Sequence, residues 1–266
     1  MAWKTLTDRG NSDSVVLAVD FDITGRPEAR FSDLVANLEP ALRVWETVPP
    51  PLEVSSGDGY VEHWAQRLEQ ERPQVRAVLG FCAGSVYAAA LAERISSWQG
   101  DEPLLVLFDP ELSTAQTLLW QFHKITGFMA SMLPPGEIDE ARRIGQRAYE
   151  ETPDVGALKD ALIKLVGDFG HRALAKIGLD ERRRDELFEV FSTFLTYLAA
   201  AGDIDPRERW RSAVAFNSST PLSGLDAMRT AGVEVLVARE INCDVDHGTM
   251  LADKDLAARL SGLLTA

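Results

Sequence analysis

Cysteine, positive charge and long apolar runs are all scarce in this chain of 266 residues, and each scarcity excludes a class of protein. Its two cysteines, Cys82 and Cys243, are too few for the disulfide framework of a small secreted domain, so we expect free thiols. No apolar stretch approaches membrane-spanning length, and residues 1–15 lack the apolar core of a signal peptide. We therefore expect a cytoplasmic protein.

The shortage of positive charge limits the possible partners. The chain has 27 Lys and Arg against 41 Asp and Glu, a formal net charge of -14 at pH 7. Charge of this sign repels nucleic-acid phosphates and anionic membrane surfaces, so we expect no nucleic acid and no membrane as partner. The length and the 45% hydrophobic content are enough for one sizeable α/β core with an inserted subdomain.

What the chain does contain is a glycine-flanked cysteine between a strand and a helix. An apolar run at 75–80 leads into a G-x-C-x-G segment centred on Cys82, and an alanine-rich helix follows. This pattern is typical of the nucleophile elbow of the α/β-hydrolase fold, with cysteine where serine usually stands. Gly80 and Gly84 permit strained backbone and a close approach of neighbouring chain. The positive end of the helix dipole predicts a lowered pKa for the Cys82 thiol.

Strand and helix patterns alternate before and after a long helical block. Periodicity predicts buried strands at 14–21, 41–48, 75–80, 104–109 and 233–238, and helices at 31–38, 60–72 and 253–264. It also predicts four or five helices within 112–201. Strands followed by helices imply right-handed crossovers and a mostly parallel sheet. We therefore expect an α/β-hydrolase core made of residues 1–110 and 208–266. The inserted all-helical segment, residues 111–207, is expected to be a lid over the carboxyl ends of the strands.

Three residues suited to acyl transfer lie at the ends of predicted strands. Asp109 follows Cys82 by 27 residues, and His247 comes after the last strand. This is the nucleophile, acid, histidine order of the fold. In such a triad the sulfur attacks a carbonyl, the imidazole carries the proton and the carboxylate orients the imidazole. The other histidines lie in helical patterns, at His63, His123 and His171.

The spacing of 27 residues, the strand text VLFDPEL and the late DHGTML segment resemble the thioesterase family of nonribosomal peptide and polyketide assembly lines. The resemblance implies Cys82 as nucleophile, Asp109 as acid, His247 as base and the Ala83 amide as one oxyanion-hole donor. It also implies an acyl or peptidyl carrier protein as partner and its thioester as substrate. No metal and no organic cofactor are expected on this chain, because the phosphopantetheine belongs to the carrier.

The chain departs from that family after its first predicted strand. The glycine-rich turn that presents the second oxyanion donor is missing, so we place that donor within residues 21–23, at Phe21 or Asp22. Glu240, just after the strand predicted at 233–238, is the alternative acid. It occupies the position used by the dienelactone hydrolases, which also carry cysteine in this elbow and are the alternative family. A non-catalytic binding protein that keeps the hydrolase fold is the other alternative.

Cysteine in place of serine has a chemical consequence. Attack of a thiol on a thioester yields another thioester, so the exchange is close to thermoneutral. The acyl group on the enzyme can then pass to an amine, an alcohol or a second carrier thiol as well as to water. The sequence therefore predicts acyl transfer alongside hydrolysis.

Overall fold

The computed structural model describes residues 1–9, 14–22 and 27–265. Residue contacts divide the chain into two compact units. The core unit comprises Met1–Leu112 and Ile204–Ala266, and the helical unit comprises Ser113–Asp203. The insertion expected at 111–207 differs from the helical unit by a few residues at each end.

The described part of the core unit forms a seven-stranded sheet in the order β1-β3-β2-β4-β5-β6-β7. Only the β1–β3 pair is antiparallel among the described strands, so the sheet is mostly parallel, as the alternating pattern predicts. The strand bounds are β1 Trp3–Asp8, β2 Ser14–Val19, β3 Arg43–Thr47, β4 Gln74–Phe81, β5 Leu104–Phe108, β6 Val214–Asn217 and β7 Arg239–Asn242.

Helices flank the sheet strands along the chain and make up the helical unit. Their bounds are α1 Phe31–Ala36, α2 Gly57–Glu71, α3 Gly84–Ser96, α4 Ala115–Phe128, α5 Pro135–Glu151, α6 Val155–Lys176, α7 Glu181–Ala201, α8 Arg207–Trp210, α9 Gly224–Thr230 and α10 Lys254–Thr265. In the helical unit three helices begin at side-chain caps. Thr114, Asp154 and Asp180 each accept a hydrogen bond from a backbone N–H in the first turn. None of the helices in the described ranges is long and apolar enough to cross a membrane.

Burial of the central strands explains why the sequence pattern predicts β2, β4 and β5. These central strands are covered on both faces, so almost every side chain in them is buried and the sequence is a continuous apolar run. On one face, the Phe108 ring stacks on Phe216 of the next strand at 5.3 Å and meets Phe31 of α1 edge-on at 6.0 Å. The end of β5 is thereby held against this core.

The prediction of a strand at 233–238 is wrong. The last strand, β7, starts only at Arg239, which pairs with Val214, and residues 233–237 are irregular although Val235 is buried. As an edge strand β7 pairs on one side, and its side chains are mostly exposed, so its sequence need not be apolar. The sequence patterns also miss β6, which is only four residues long, and β1, the opposite edge strand.

Candidate active site

Cys82 lies on a sharp turn between β4 and α3. Its φ angle of 50° is in the left-handed region, and its backbone N–H donates to the Phe108 carbonyl at 2.9 Å. A side chain at Gly80 would place a Cβ 2.6 Å from the Ser85 Cα and 2.8 Å from the Ala88 Cβ. Glycine is therefore required where α3 passes over the strand, and the strained turn presents the cysteine at the carboxyl end of β4.

Asp109 occupies a second left-handed turn, at the end of β5, with a φ angle of 42°. It is fully buried, and its Oδ1 accepts a hydrogen bond from the Ser218 backbone N–H at 2.7 Å. Its Oδ2 lies 2.7 Å from Nδ1 of His247. Facing an ionised carboxylate, Nδ1 carries the proton, which leaves Nε2 free to accept one.

His247 is held by contacts on several sides. Its backbone N–H donates to Oγ1 of Thr220 at 2.8 Å, and its ring stacks on Phe81 at 4.8 Å. Phe81 immediately precedes Cys82, and the charge of Asp109 acts on both Cys82 and His247. The structure thus joins Asp109 and His247 directly and stacks the neighbour of Cys82 on the histidine ring, within the core unit. The catalytic roles of the three residues stay a prediction.

A fourth residue, Glu111, joins this site without having been singled out in the sequence. Its carboxylate accepts a hydrogen bond from the Cys82 thiol, and its Oε1 lies 3.4 Å from the Gly224 backbone N–H, which donates to it. Its own N–H donates to the Cys82 carbonyl at 3.3 Å. Burial raises the pKa of Glu111, opposed by His247, the Gly224 amide and the thiol. The sequence signal was its place two residues after Asp109, in the VLFDPEL segment.

The expected lowering of the Cys82 pKa is wrong. Burial raises the pKa of the thiol well above its usual range, and the charge of Glu111 raises it further, followed by Asp20 and Asp109. The Ala83 backbone N–H, hydrogen-bonded to the sulfur, opposes this shift but does not overcome it. Withdrawal from water and nearby carboxylates both disfavour a thiolate, so the dipole of α3 is outweighed.

For His247, the effect of nearby carboxylates on the pKa outweighs the effect of burial. Burial lowers its pKa, but the hydrogen bond and charge of Asp109, together with Glu111 and Glu28, raise it overall. A carboxylate that is hydrogen-bonded to the ring stabilises the imidazolium. These shifts favour a neutral thiol at Cys82 and a more basic imidazole at His247.

The residues predicted to form the oxyanion hole make different contacts. The Ala83 N–H is directed at the Cys82 sulfur. The Phe21 N–H donates to Oδ1 of Asp20 at 2.7 Å, so it is occupied here. The Asp22 carboxylate pairs with Lys4 and, at 3.3 Å, with Arg30. The last residue of the expected 21–23 segment lies outside the described residues, and the second donor stays a prediction.

Glu240, the alternative acid, lies inside β7 opposite Ala215 and not after a strand. Its carboxylate accepts hydrogen bonds from Nδ2 of Asn217 at 2.7 Å and from Arg229 at 2.8 Å. Nδ1 of His247 is already bonded to Asp109, so Glu240 is not the partner of the histidine in this structure.

Cys243 lies near the end of β7. It is partly buried against the apolar core of the unit, and its N–H donates to the Asn217 carbonyl at 2.8 Å. Both cysteines are free thiols, as expected.

No protein-family model matches this chain, and no curated protein matches it. Solved structures do match along its whole length. The NocB thioesterase domain from the nocardicin cluster is 13% identical with a TM-score of 0.56, covering 100% of this chain and 99% of that one. The Vlm2 thioesterase domain, containing genetically encoded 2,3-diaminopropionic acid and bound with a dodecadepsipeptide, is 16% identical with a TM-score of 0.51, covering 99% and 96%.

A bromoperoxidase from Bacillus anthracis is also similar, 14% identical with a TM-score of 0.53, covering 99% of this chain and 94% of that one. Identities this low establish a common architecture and no more. The mostly parallel sheet, with a residue on a strained turn after its central strand, agrees with that architecture. This chain therefore has the α/β-hydrolase fold that is also found in the NocB and Vlm2 thioesterase domains.

Proposed function

We propose that this chain is a thioesterase or acyltransferase acting on acyl, aminoacyl or peptidyl thioesters of carrier proteins in nonribosomal peptide or polyketide synthesis. One observation carries the proposal. Cys82 lies on the elbow at the end of β4, and the adjacent strand ends in Asp109, which is hydrogen-bonded to His247 at 2.7 Å. A cysteine, a histidine and a buried carboxylate in this order are the parts required for covalent acyl transfer.

The raised pKa of the thiol defines how the first step proceeds. Cys82 starts as a neutral thiol, so its proton passes to Nε2 of His247 as the sulfur attacks the thioester carbonyl. Asp109 keeps the proton of Nδ1 in place and stabilises the imidazolium. The Ala83 N–H, adjacent to the sulfur, is suited to stabilise the oxyanion.

Collapse of the tetrahedral intermediate breaks the bond between the carbonyl carbon and the carrier sulfur. The departing thiolate takes the proton from His247, and the acyl group stays on Cys82 as a thioester. Water or a second nucleophile then attacks the acyl-enzyme carbonyl and gives its proton to His247. The bond between the carbonyl carbon and the Cys82 sulfur breaks, and the sulfur takes the proton back from His247. Because the intermediate keeps the activation of a thioester, transfer to an amine or to another carrier thiol competes with hydrolysis.

The alternatives receive less support. The dienelactone-hydrolase interpretation requires Glu240 to orient the histidine, and the Glu240 carboxylate is engaged by Asn217 and Arg229. A non-catalytic binding protein has no need of a buried Asp109–His247 hydrogen bond beside a strained cysteine. The thioesterase domains among the similar structures, one of them bound with a dodecadepsipeptide, agree with a peptidyl substrate.

The experiment is incubation of the chain with acyl-loaded and aminoacyl-loaded carrier proteins, followed by intact-mass measurement of both proteins. We expect an acyl adduct on the chain and loss of the load from the carrier. Cys82→Ala should abolish both, and Cys243→Ala, which removes the other free thiol, should leave both unchanged. Adding an unloaded second carrier separates transfer from hydrolysis. Absence of any Cys82-dependent adduct and of any unloading would refute the proposal.

A further inference from the structure

Glu111 is a carboxylate whose side chain accepts a hydrogen bond from the thiol of the proposed nucleophile. It lies on the turn after β5, and its N–H donates to the Cys82 carbonyl, which ties this turn to the elbow. Its side chain accepts hydrogen bonds from two donors, the Cys82 thiol and the Gly224 N–H. The proposed reaction uses Asp109 and His247 but gives Glu111 no task.

Acylation of Cys82 changes the surroundings of Glu111. During acylation the thiol proton passes to His247 and then to the departing thiolate, so the Glu111 carboxylate has lost one of its two hydrogen-bond donors when the acyl-enzyme has formed. The Gly224 N–H is then the donor that remains of the two. A partly buried carboxylate that loses a donor is less well satisfied, so a ligand that replaces the donor is favoured over one that does not. The acyl group itself is the nearest source of a replacement.

The charged groups around the Cys82 sulfur determine which hydrogen-bond donor can replace the thiol beside Glu111. The charged side chains with the largest effect on the Cys82 sulfur are all carboxylates, Glu111, Asp20 and Asp109. Such surroundings favour a cation and disfavour an acyl group that carries a carboxylate. In an aminoacyl thioester the α-ammonium group is attached to the carbon next to the carbonyl, so it lies beside the sulfur and within reach of a carboxylate that bonded the thiol.

We propose that Glu111 binds the α-ammonium group of an aminoacyl thioester and thereby selects aminoacyl groups over acyl groups that lack the amine. This inference rests on the proposed function and narrows its substrate class. Glu111 is a specificity-determining residue in this role. Proton transfer from the thiol stays with His247.

The experiment compares matched pairs of N-acetylcysteamine thioesters that differ only in the α-amine. The pairs are alanyl with propanoyl, valyl with 3-methylbutanoyl, and phenylalanyl with 3-phenylpropanoyl. The initial rate of Cys82 acylation is measured by acid quench and intact mass, with Cys82→Ala as the blank for spontaneous reaction. Glu111→Gln keeps the size of the side chain and a carbonyl oxygen to accept from Gly224, and it removes the charge. Glu28→Gln removes a charge that acts on His247 but is not among the groups that shift Cys82, so it is the matched control.

We expect the wild-type chain to prefer the aminoacyl member of at least one pair by about tenfold or more, the effect of one charged hydrogen bond. Glu111→Gln should reduce that preference to within about twofold by slowing the aminoacyl member alone, and Glu28→Gln should retain it. If the wild-type chain shows no preference for the aminoacyl thioester in any pair, the inference is overturned by that result alone. If Glu111→Gln slows the aminoacyl and the acyl thioester of a pair equally, the inference is also overturned, and Glu111 instead takes part in proton transfer. No acylation by any thioester or loaded carrier refutes the proposed function, and this inference with it.

Discussion

Gly224 contacts the proposed catalytic acid with backbone alone, and its replacement tests how tightly the acid is positioned. At φ 63° a Gly224→Ala Cβ would lie 2.8 Å from Oδ1 of Asp109 and 3.1 Å from Oδ1 of Asn217. The left-handed backbone by itself costs an alanine about 1–2 kcal/mol. Moving the buried Asp109 carboxylate would also weaken a charged hydrogen bond worth about 1.5–3 kcal/mol.

We therefore expect Gly224→Ala to lower the free energy of unfolding by about 2.5–5 kcal/mol. Acylation of Cys82 should slow by about 100-fold, because a small displacement of Asp109 misplaces His247. Gly232→Ala is the matched control, since Gly232 has a φ of 79° and no atom within 4 Å of its Cβ position. It should show only the backbone cost of about 1–2 kcal/mol and unchanged acylation. Urea unfolding and intact-mass acylation measure the two effects. Equal destabilisation of both variants with unaltered acylation would refute this account of Gly224.

Three other predictions concern the triad and a buried acid. Asp109→Asn should slow acylation by about 10³–10⁴-fold, the range expected when a triad histidine is held in the wrong tautomer, and a loss below tenfold would contradict the Asp109–His247 assignment. Iodoacetamide should alkylate Cys82 more slowly at pH 7 than it alkylates free cysteine, with a rate that rises at alkaline pH, because burial and Glu111 raise the thiol pKa; a faster rate would contradict this. Burial raises the pKa of Glu46 to about 7 despite its ion pair with Lys4, so the folded state holds a proton that the unfolded chain releases at lower pH. This contribution, at most about 3 kcal/mol, is present below about pH 4.5 and is lost as the pH rises to about 7. In urea unfolding at a series of pH values Glu46→Gln should lack this component, and identical pH profiles would disprove it.

Local patterns in the sequence determined the class of fold and the order of the chemical groups. The elbow around Cys82, the strand that ends at Asp109 and the helical positions of His63, His123 and His171 are all readable because each depends on near neighbours. Buried central strands are continuous apolar runs, and a strained turn between a strand and a helix requires small residues at fixed positions.

The edge strand β7 could not be predicted from local sequence patterns. The segment at 233–238 is apolar enough for a strand, yet the ladder with β6 begins at Arg239. Pairing of an edge strand depends on which neighbour it meets, and the polar sequence of β7 carries no sign of that partner. The position assigned to Glu240 is wrong for the same reason, since Glu240 was placed after a strand and lies within β7.

The electrostatics of the site were decided by tertiary structure alone. The sequence places a helix dipole next to Cys82, which favours a thiolate. Folding withdraws the sulfur from water and brings the Glu111 carboxylate against it, and these effects raise the pKa instead. Desolvation and charge depend on every group packed around an atom, including those distant in the chain. The sequence by itself therefore determined the order of the candidate residues along the chain. Only the tertiary structure decided that the proposed nucleophile has a raised thiol pKa and lies beside a fourth residue, Glu111.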